Sequence, residues 1–143
     1  MKIDGKVLNI LKRDANKAFK RDEIPVSAVI VDSGGKIISH ACNNRQKSCN
    51  VLGHAEVLAI NKAEKKIRDW RLDGYSMFVT LEPCNMCSMV IKECRLDYIY
   101  YFLPKKSDCN NDFVSIDKSI VEDYGEYKEY FNNLLTSFFD NRR

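Results

Sequence analysis

The sequence predicts an α/β fold of three layers (α/β/α), in which a mixed central sheet lies between helices. The predicted elements follow the order helix, hairpin, helix, strand, helix, strand, helix, which suggests a sheet covered on both faces. The length of 143 residues suits one domain. A composition that is 45% hydrophobic and 30% charged is typical of a folded protein. We therefore expect residues 1–143 to form a single domain.

The first part of the chain predicts a surface helix and an antiparallel hairpin. Residues 2–21 place a row of apolar side chains on one side of a helix, with the charges opposite: Val7, Leu8, Leu11, Ala15, Ala18 and Phe19. Pro25 ends this pattern. Residues 26–31 and 36–41 then predict two strands, and the Asp-Ser-Gly-Gly turn between them predicts a hairpin.

The later elements follow from the same periodicities. Residues 54–66 predict a helix, 75–81 a strand, 83–94 a buried helix and 97–103 a further strand. The last helix is predicted from apolar residues at three- and four-residue spacing: Tyr127, Tyr130, Phe131, Leu134, Leu135, Phe138 and Phe139. Residues 42–53 and 104–118 are polar and show no clear periodicity.

Charge and hydropathy narrow the functional classes. The net charge is +3, with 15 Lys/Arg against 8 Asp/Glu in residues 1–71 and 8 against 12 in residues 72–143. A basic first half suits contact with phosphates, and equally suits a solvated helix face. No apolar run approaches the roughly 18 residues of a membrane span, and the first residues lack the apolar stretch of a signal peptide. We expect a cytoplasmic protein with no membrane partner.

The six cysteines and two histidines are the informative part of the composition. In the cytoplasm a cysteine is more often a ligand, a redox group or a core residue than half of a disulfide. Cys84 and Cys87 open a predicted helix at i and i+3, so both sulfurs reach one side of a first turn whose free N–H groups favour thiolates. With His54 at the start of another helix, they predict a zinc site whose fourth position is open to water.

Glu56 lies two residues after His54 and is predicted to move protons rather than to bind the metal. An H-x-E at one helix start, about 30 residues before P-C-x-x-C at another, is the signature of zinc-dependent nucleobase deaminases. The sequence therefore predicts hydrolytic deamination.

Other interpretations of these residues remain open. A lone C-x-x-C between a strand and a helix also suits a redox protein or a non-catalytic zinc protein. Cys49 lies five residues before His54, and as a fourth ligand it would close the metal site. His40 falls within a predicted strand with no acidic neighbour along the chain, and we interpret it as a bystander. Cys42 and Cys94 are interpreted as small core residues, and Cys109 is interpreted as a bystander.

From about residue 14 to residue 143 the chain resembles the TadA family of bacterial tRNA adenosine deaminases, within the cytidine/deoxycytidylate deaminase superfamily. The matching stretches are residues 23–29 (EIPVSAV), 43–45 (NNR), 54–56 (HAE), 80–87 (TLEPCNMC) and 134–143 (LLTSFFDNRR). The resemblance implies a cytidine-deaminase-like fold. It also implies a homodimer that converts adenosine to inosine at the wobble position of a tRNA anticodon stem-loop.

The resemblance implies a role for each matching residue. His54, Cys84 and Cys87 would hold one Zn²⁺ per subunit, and Glu56 would carry a proton from zinc-activated water to the purine N1 and the leaving amino group. The substrate would be contacted by Asn43, Ala55, Phe139 and Arg142. Phe138 and Arg143 would lie near the same stem-loop, although core packing is the favoured interpretation of Phe138. The two motifs are shared with deaminases of guanine, cytosine and cytidine, so a free base or nucleoside is the alternative substrate.

Two departures from the family pattern are expected to affect the site. Ser27 stands where the family usually has glycine, and we expect its hydroxymethyl group to narrow or reorient the pocket. Residues 104–111 (PKKSDCNN) replace a glycine-rich segment that helps shape the RNA surface in the family. We expect Lys105 and Lys106 to supply phosphate contacts in its place.

Overall fold

The structure, a computed structural model, describes residues 2–105 and 124–141. The elements are α1 (Gly5–Lys20), β1 (Ser27–Val31), β2 (Ile37–Cys42), α2 (Ala55–Ile67), β3 (Ser76–Leu81), α3 (Asn85–Glu93), β4 (Tyr98–Leu103) and α4 (Gly125–Asp140). This order confirms the predicted α/β class. In the described residues no helix combines the length and apolar character that crossing a membrane requires.

The four strands form one mixed sheet in the order β2-β1-β3-β4. Strand β1 is antiparallel to both β2 and β3, whereas β3 and β4 are parallel. Because β2, β3 and β4 therefore run in the same direction, their carboxyl ends meet at one edge of the sheet, next to the start of β1. Ser27 pairs with Cys42, and Leu81 pairs with Leu103, at this edge. The loops that leave these strands converge there.

Two hydrophobic clusters fill the spaces on either side of the sheet. Ala28 and Ile30 of β1 join residues of α2 and α3 in one cluster. Val29 and Val31, on the opposite face of the same strand, join residues of α1 and α4 in the other. Because successive side chains of a strand point to opposite faces, a strand covered on both sides is apolar at most positions, and the buried Ser27 of β1 donates its hydroxyl hydrogen to the Leu11 carbonyl. The three-layer α/β/α prediction is confirmed.

Helix α1 has defined ends that set the course of the chain toward the sheet edge. The Asp4 side chain accepts a hydrogen bond from the Lys6 N–H at 2.9 Å and caps the first turn. At the other end Asp22 has a φ of 65°, and the Glu23 N–H donates to the carbonyl of Ala18 at 3.0 Å. This is the left-handed termination common at helix ends, and it directs Glu23 toward β1.

The fold gives His40 an acidic neighbour that it lacks along the chain. His40 Nδ1 on β2 lies 2.5 Å from Asp14 Oδ2 on α1. Asp14 is buried although it belongs to a helix whose other charges face solvent. The pair joins the edge strand to the helix that covers it, because a buried carboxylate needs a polar partner.

Candidate metal centre and its pocket

His54 and Cys84 occupy equivalent places at the starts of two helices. Each is the N-cap residue, of α2 and α3 respectively, and neither side chain forms a capping hydrogen bond. Both side chains are turned toward each other instead. His54 Nδ1 lies 3.7 Å from Cys84 Sγ and 3.5 Å from Cys87 Sγ, which is in the first turn of α3. Among the described residues, these three form the one group of potential ligands whose donor atoms all lie within 4.8 Å of one another.

The geometry of this group suits a tetrahedral zinc ion. Zinc bonds of about 2.3 Å to sulfur and 2.0–2.1 Å to nitrogen place the two donor atoms roughly 3.6 Å apart at a tetrahedral angle. The two sulfur-to-nitrogen distances bracket that value. A set of two thiolates and one imidazole is a zinc donor set, and it leaves a fourth position for water or substrate.

The pKa values of the two cysteines are shifted in opposite directions. The pKa of Cys84 is lowered to about 5, because the Cys87 side chain donates a hydrogen bond to its thiolate, with further help from the Cys87 and Met86 N–H groups and from His54. The pKa of Cys87 is raised, because its thiol donates to Cys84 and because it is buried. Metal ligation requires both thiols to lose their protons, and the two sulfurs lie close enough to His54 Nδ1 to bind one ion together with it.

Glu56 lies in the first turn of α2, beside the three ligands but outside their group. Its side chain is 4% exposed. Burial raises the pKa of its carboxyl group to about 7, although the backbone N–H of Glu56 itself and the Cys87 side chain favour the ionised form. A carboxyl group with a pKa near neutrality can both accept and donate a proton.

A pocket of about 260 Å³ opens beside His54. Its volume lies just below the roughly 300–1,000 Å³ of sites for drug-sized ligands. Asn43 and Phe138 are among its lining residues. Asn43 Oδ1 accepts the Ala55 N–H at 2.7 Å, which leaves the Asn43 NH₂ group as a donor. The pocket therefore combines an apolar wall with a fixed hydrogen-bond donor.

The residues predicted to contact substrate are only partly brought together. Asn43 lines the pocket, whereas the Ala55 N–H is engaged by Asn43. Phe139 is 52% exposed and lines a different cavity, with Leu103 and Leu135, while the neighbouring Phe138 reaches the pocket at His54. Arg142 lies outside the described residues, as does Arg143. Substrate contact by Asn43, Ala55, Phe139 and Arg142 stays a prediction.

Two residues at or near the pocket were not singled out by the sequence analysis. Glu23 is buried at the pocket wall and accepts hydrogen bonds from the N–H groups of Arg45, Gln46 and Lys47. Gly53 lies where two chain segments cross, since a Cβ there would be 2.6 Å from the Asn44 carbonyl oxygen. A glycine directly before a helix start was a usable signal, whereas Glu23 stood only within the family-matching stretch 23–29, which assigned it no role of its own.

The departures from the family pattern have different outcomes. The expectation that Ser27 narrows or reorients the pocket is wrong, because its hydroxyl group donates to the Leu11 carbonyl of α1 at 2.6 Å and Ser27 is not among the residues that line the pocket. Lys105 Nζ lies 3.5 Å from the Pro83 carbonyl and 3.4 Å from Asn85 Oδ1, at the start of α3. Lys106 and the rest of this segment, up to residue 111, lie outside the described residues.

The other cysteines that the structure describes do not join the metal group. Cys49 is exposed, with its Sγ 3.7 Å from the Gln46 carbonyl, and it is not one of the three clustered ligands. Cys94 is buried in the core between the sheet and α2, as predicted, and Cys42 is partly buried. Cys109 lies outside the described residues.

Comparison with known proteins bears on this site directly. Residues 1–103 match the family described as the cytidine and deoxycytidylate deaminase zinc-binding region. A tRNA-specific adenosine deaminase from Rickettsia bellii (strain RML369-C) is 46% identical over 90 residues, which cover 62% of this chain and 62% of that protein. The chain thus matches less than two thirds of the length of this curated relative.

Solved structures show the same fold. A chain from a study of A-to-I editing by tRNA:A34 deaminases at the wobble position of transfer RNA is similar with a TM-score of 0.67 and 33% identity, covering 70% of this chain and 76% of that one. A guanine deaminase from Bacillus subtilis is similar with a TM-score of 0.64 and 24% identity, covering 89% and 92%. The second likeness concerns the fold alone.

Proposed function

This chain belongs to the family of the cytidine and deoxycytidylate deaminase zinc-binding region, and on that premise we propose that it is a zinc-dependent hydrolase that converts adenosine to inosine at the wobble position of a tRNA anticodon. The observation that carries the reaction is the buried Glu56 beside the group of His54, Cys84 and Cys87. Three ligands and an adjacent carboxyl group are what a hydrolytic deaminase requires.

The roles of the residues follow from their chemistry. His54, Cys84 and Cys87 would hold the zinc ion. When bound, zinc supplies Lewis acidity, which lowers the pKa of a coordinated water toward about 7. Glu56 accepts a proton from the water that adds to C6 of the purine and delivers protons to N1 and to the amino group. The C6–N bond then breaks, ammonia leaves and inosine remains.

The pocket supplies orientation for this reaction. The NH₂ group of Asn43 is available to donate to an acceptor on the purine ring, because Ala55 holds the other end of the amide. Phe138 lines the pocket together with His54, and aromatic side chains are the residues on which unpaired bases stack. A pocket of about 260 Å³ suits a single base taken out of its stack.

The choice of RNA as substrate rests on the relatives. The Rickettsia protein and the wobble-position deaminases are both named for an activity on tRNA. They are 46% and 33% identical to this chain, whereas the guanine deaminase is 24% identical. We further propose that residues 1–143 form one deaminase domain, that the enzyme binds one zinc ion per subunit and acts as a homodimer in the cytoplasm, and that the tRNA anticodon stem-loop is its partner.

The test of this function uses a synthetic anticodon stem-loop with adenosine at the wobble position. We expect inosine at that position with the zinc-loaded protein and none with Glu56→Ala. Free guanine, cytosine, cytidine and adenosine are assayed in parallel for ammonia release. Ammonia from a free base or nucleoside, without inosine in the stem-loop, would contradict the RNA substrate and leave the deaminase chemistry in place.

The assembly is tested separately from the activity. Metal analysis against protein concentration is expected to give one zinc per chain. The mass of one chain is 16.6 kDa. Light scattering is expected to give twice that mass. A monomer that still produces inosine would contradict the homodimer without affecting the reaction.

A further inference from the structure

The loop between β2 and α2, residues 43–54, forms part of the pocket wall but has little apolar anchoring of its own. The side chains of residues 45–52 are all exposed, including the two large apolar ones, Val51 and Leu52. Hydrophobic burial therefore contributes little to the position of this stretch. Its position must depend on hydrogen bonds.

One set of these hydrogen bonds closes the loop on itself. The Asn44 N–H donates to the Gly53 carbonyl at 2.8 Å, and the Asn50 N–H donates to the Arg45 carbonyl at 3.1 Å. The Gly53 N–H donates to the Asn50 carbonyl at 2.9 Å. These bonds give the loop an internal shape, but they do not attach its outer part to the rest of the protein.

The attachment comes from Glu23, which belongs to the segment between α1 and β1. Its Oε1 accepts the N–H groups of Gln46 and Lys47 at 2.8 and 2.9 Å, and its Oε2 accepts the Arg45 N–H at 3.1 Å. Glu23 is 2% exposed, so these three donors replace the water that an ionised carboxylate needs. Its own backbone is held by the end of α1, through the bond from the Glu23 N–H to the Ala18 carbonyl.

The residues that Glu23 holds are also residues of the pocket. Arg45, Gln46 and Glu23 line the same cavity as Asn43 and His54. We propose that Glu23 is a positioning residue, which fixes the wall of the substrate pocket by holding the backbone of residues 45–47. The inference rests on the proposed function for the identity of the substrate, while the loop geometry stands independently of it.

The role predicts a particular pattern of effects. Glu23→Gln replaces one carboxylate oxygen by an NH₂ group, which cannot accept a hydrogen bond and must face at least one of the three N–H groups. The loop then loses part of its attachment, whereas the metal ligands keep theirs, because His54, Cys84 and Cys87 are positioned by α2 and α3. Substrate binding is expected to weaken more than the chemical step.

The experiment compares Glu23→Gln, Glu23→Asp and the matched control Glu93→Gln, which makes the same change at an exposed position of α3. For Glu23→Gln we expect backbone amide exchange at residues 45–47 to accelerate by about tenfold or more. We expect KM for the stem-loop to rise by about tenfold, the effect of losing one charge-assisted hydrogen bond, with kcat changed by less than about threefold. Zinc content is expected to be unchanged. Glu23→Asp retains the charge on a shorter side chain and is expected to lie between the wild type and Glu23→Gln.

Unchanged exchange at residues 45–47 in Glu23→Gln would overturn the proposal, and so would an unchanged KM or a loss of zinc. If Glu23→Gln does not fold, Glu23→Asp decides, and wild-type exchange and KM in that variant would overturn it. Amide exchange and zinc content are measured without substrate. A wild-type protein that forms no inosine therefore counts against the proposed function, while the exchange result still decides whether Glu23 holds the loop.

Discussion

Three carboxyl groups are buried in the described part of the chain, and their surroundings distinguish the one suited to proton transfer. Glu23 accepts three backbone N–H groups, and Asp14 lies 2.5 Å from His40. Glu56 is buried to a similar extent beside the metal ligands, and burial raises its pKa to about 7. Because burial disfavours the ionised form of Glu56, this carboxyl group can accept and release a proton near neutral pH. The residue suited to chemistry is therefore Glu56.

Replacing Glu56 with alanine is expected to reduce turnover by about 10²–10⁴-fold or more, because positioned proton transfer contributes a factor of that size. The zinc content is expected to remain at the wild-type level, since the carboxyl group is not one of the three clustered ligands. Inosine formation and metal content are measured on the same preparation.

The matched comparison for that variant is Cys87→Ala, which removes a ligand and is expected to lose both metal and activity. Loss of zinc in Glu56→Ala would show that the glutamate binds the metal. Activity retained in Cys87→Ala would place the reaction at another site.

The residues that could be predicted from the sequence are those whose chemistry is local. His54 with Glu56, and Cys84 with Cys87, are two and three positions apart, so their spacing on a helix is visible in the chain. The contacts of Glu23 span 22 to 24 positions and that of Asp14 with His40 spans 26. Such pairs depend on how elements pack, which periodicity does not reveal.

At the scale of elements, a polar pair joins α1 to the edge strand β2. Asp14→Asn removes the charge that faces His40 and is expected to lower the free energy of unfolding by about 1–2 kcal/mol, because the carboxylate is buried and its partner is about half exposed. Urea unfolding measures the change.

Asp73→Asn is the control for that variant, since it breaks the Arg71–Asp73 pair, in which both side chains are about half exposed. Exposed pairs contribute about 0–1 kcal/mol, so the control is expected to cost less. Equal costs for the two substitutions would contradict a structural role for the buried pair.

The crossing of the loop at Gly53 allows a second test at this scale. In Gly53→Ala the Cβ would lie 2.6 Å from the Asn44 carbonyl oxygen and 2.8 Å from the Arg45 Cα and N, all of them backbone atoms. The backbone must shift next to His54, so we expect a loss of about 1–3 kcal/mol in stability and weaker zinc binding. Thermal unfolding and zinc titration measure both effects.

Gly5→Ala provides the comparison, because a Cβ at this first residue of α1 meets nothing within 4 Å. Alanine there is expected to be neutral or to stabilise by up to about 1 kcal/mol. Equal stability of the Gly53→Ala and Gly5→Ala variants would show that the close backbone approach at Gly53 does not limit stability.

The elements could be predicted where a periodic apolar pattern met a clear end signal. The apolar stripe from Val7 to Ala18 predicted helix α1. The end of the helix depends on the left-handed backbone conformation of Asp22, which the apolar pattern does not show. Strand β1 is buried at all five positions. Its β-branched residues predicted a strand, but they did not show which elements pack against its two faces. The loop of residues 43–54 has no periodicity, so only its three-dimensional hydrogen bonds define it.

For the whole molecule, the sheet topology explains why distant residues form one site. Strands β2, β3 and β4 point the same way, so the chain reaches the same edge after each of them. The starts of α2 and α3 meet there, and the positive ends of both helix dipoles face the thiolates. A metal held by His54 from one helix and by Cys84 and Cys87 from the other is a cross-link between two elements.

Removing zinc is therefore expected to affect stability as well as activity. Ligand binding to the folded state stabilises it by about 4 kcal/mol when free ligand exceeds Kd a thousandfold, so a strong chelator is expected to lower the melting temperature, and added zinc to restore it. In His54→Ala the melting temperature is expected to be low already and to respond little to the chelator, because one ligand and the link to α2 are missing.

Thiol titration gives an independent measure of metal removal. The pKa of Cys84 is about 5, so this residue becomes a reactive thiolate once the metal leaves. Burial raises the pKa of Cys94 to about 11, so this thiol stays unreactive. A chelator that removes the metal without changing the melting temperature of the wild type would show that the fold does not depend on this cross-link.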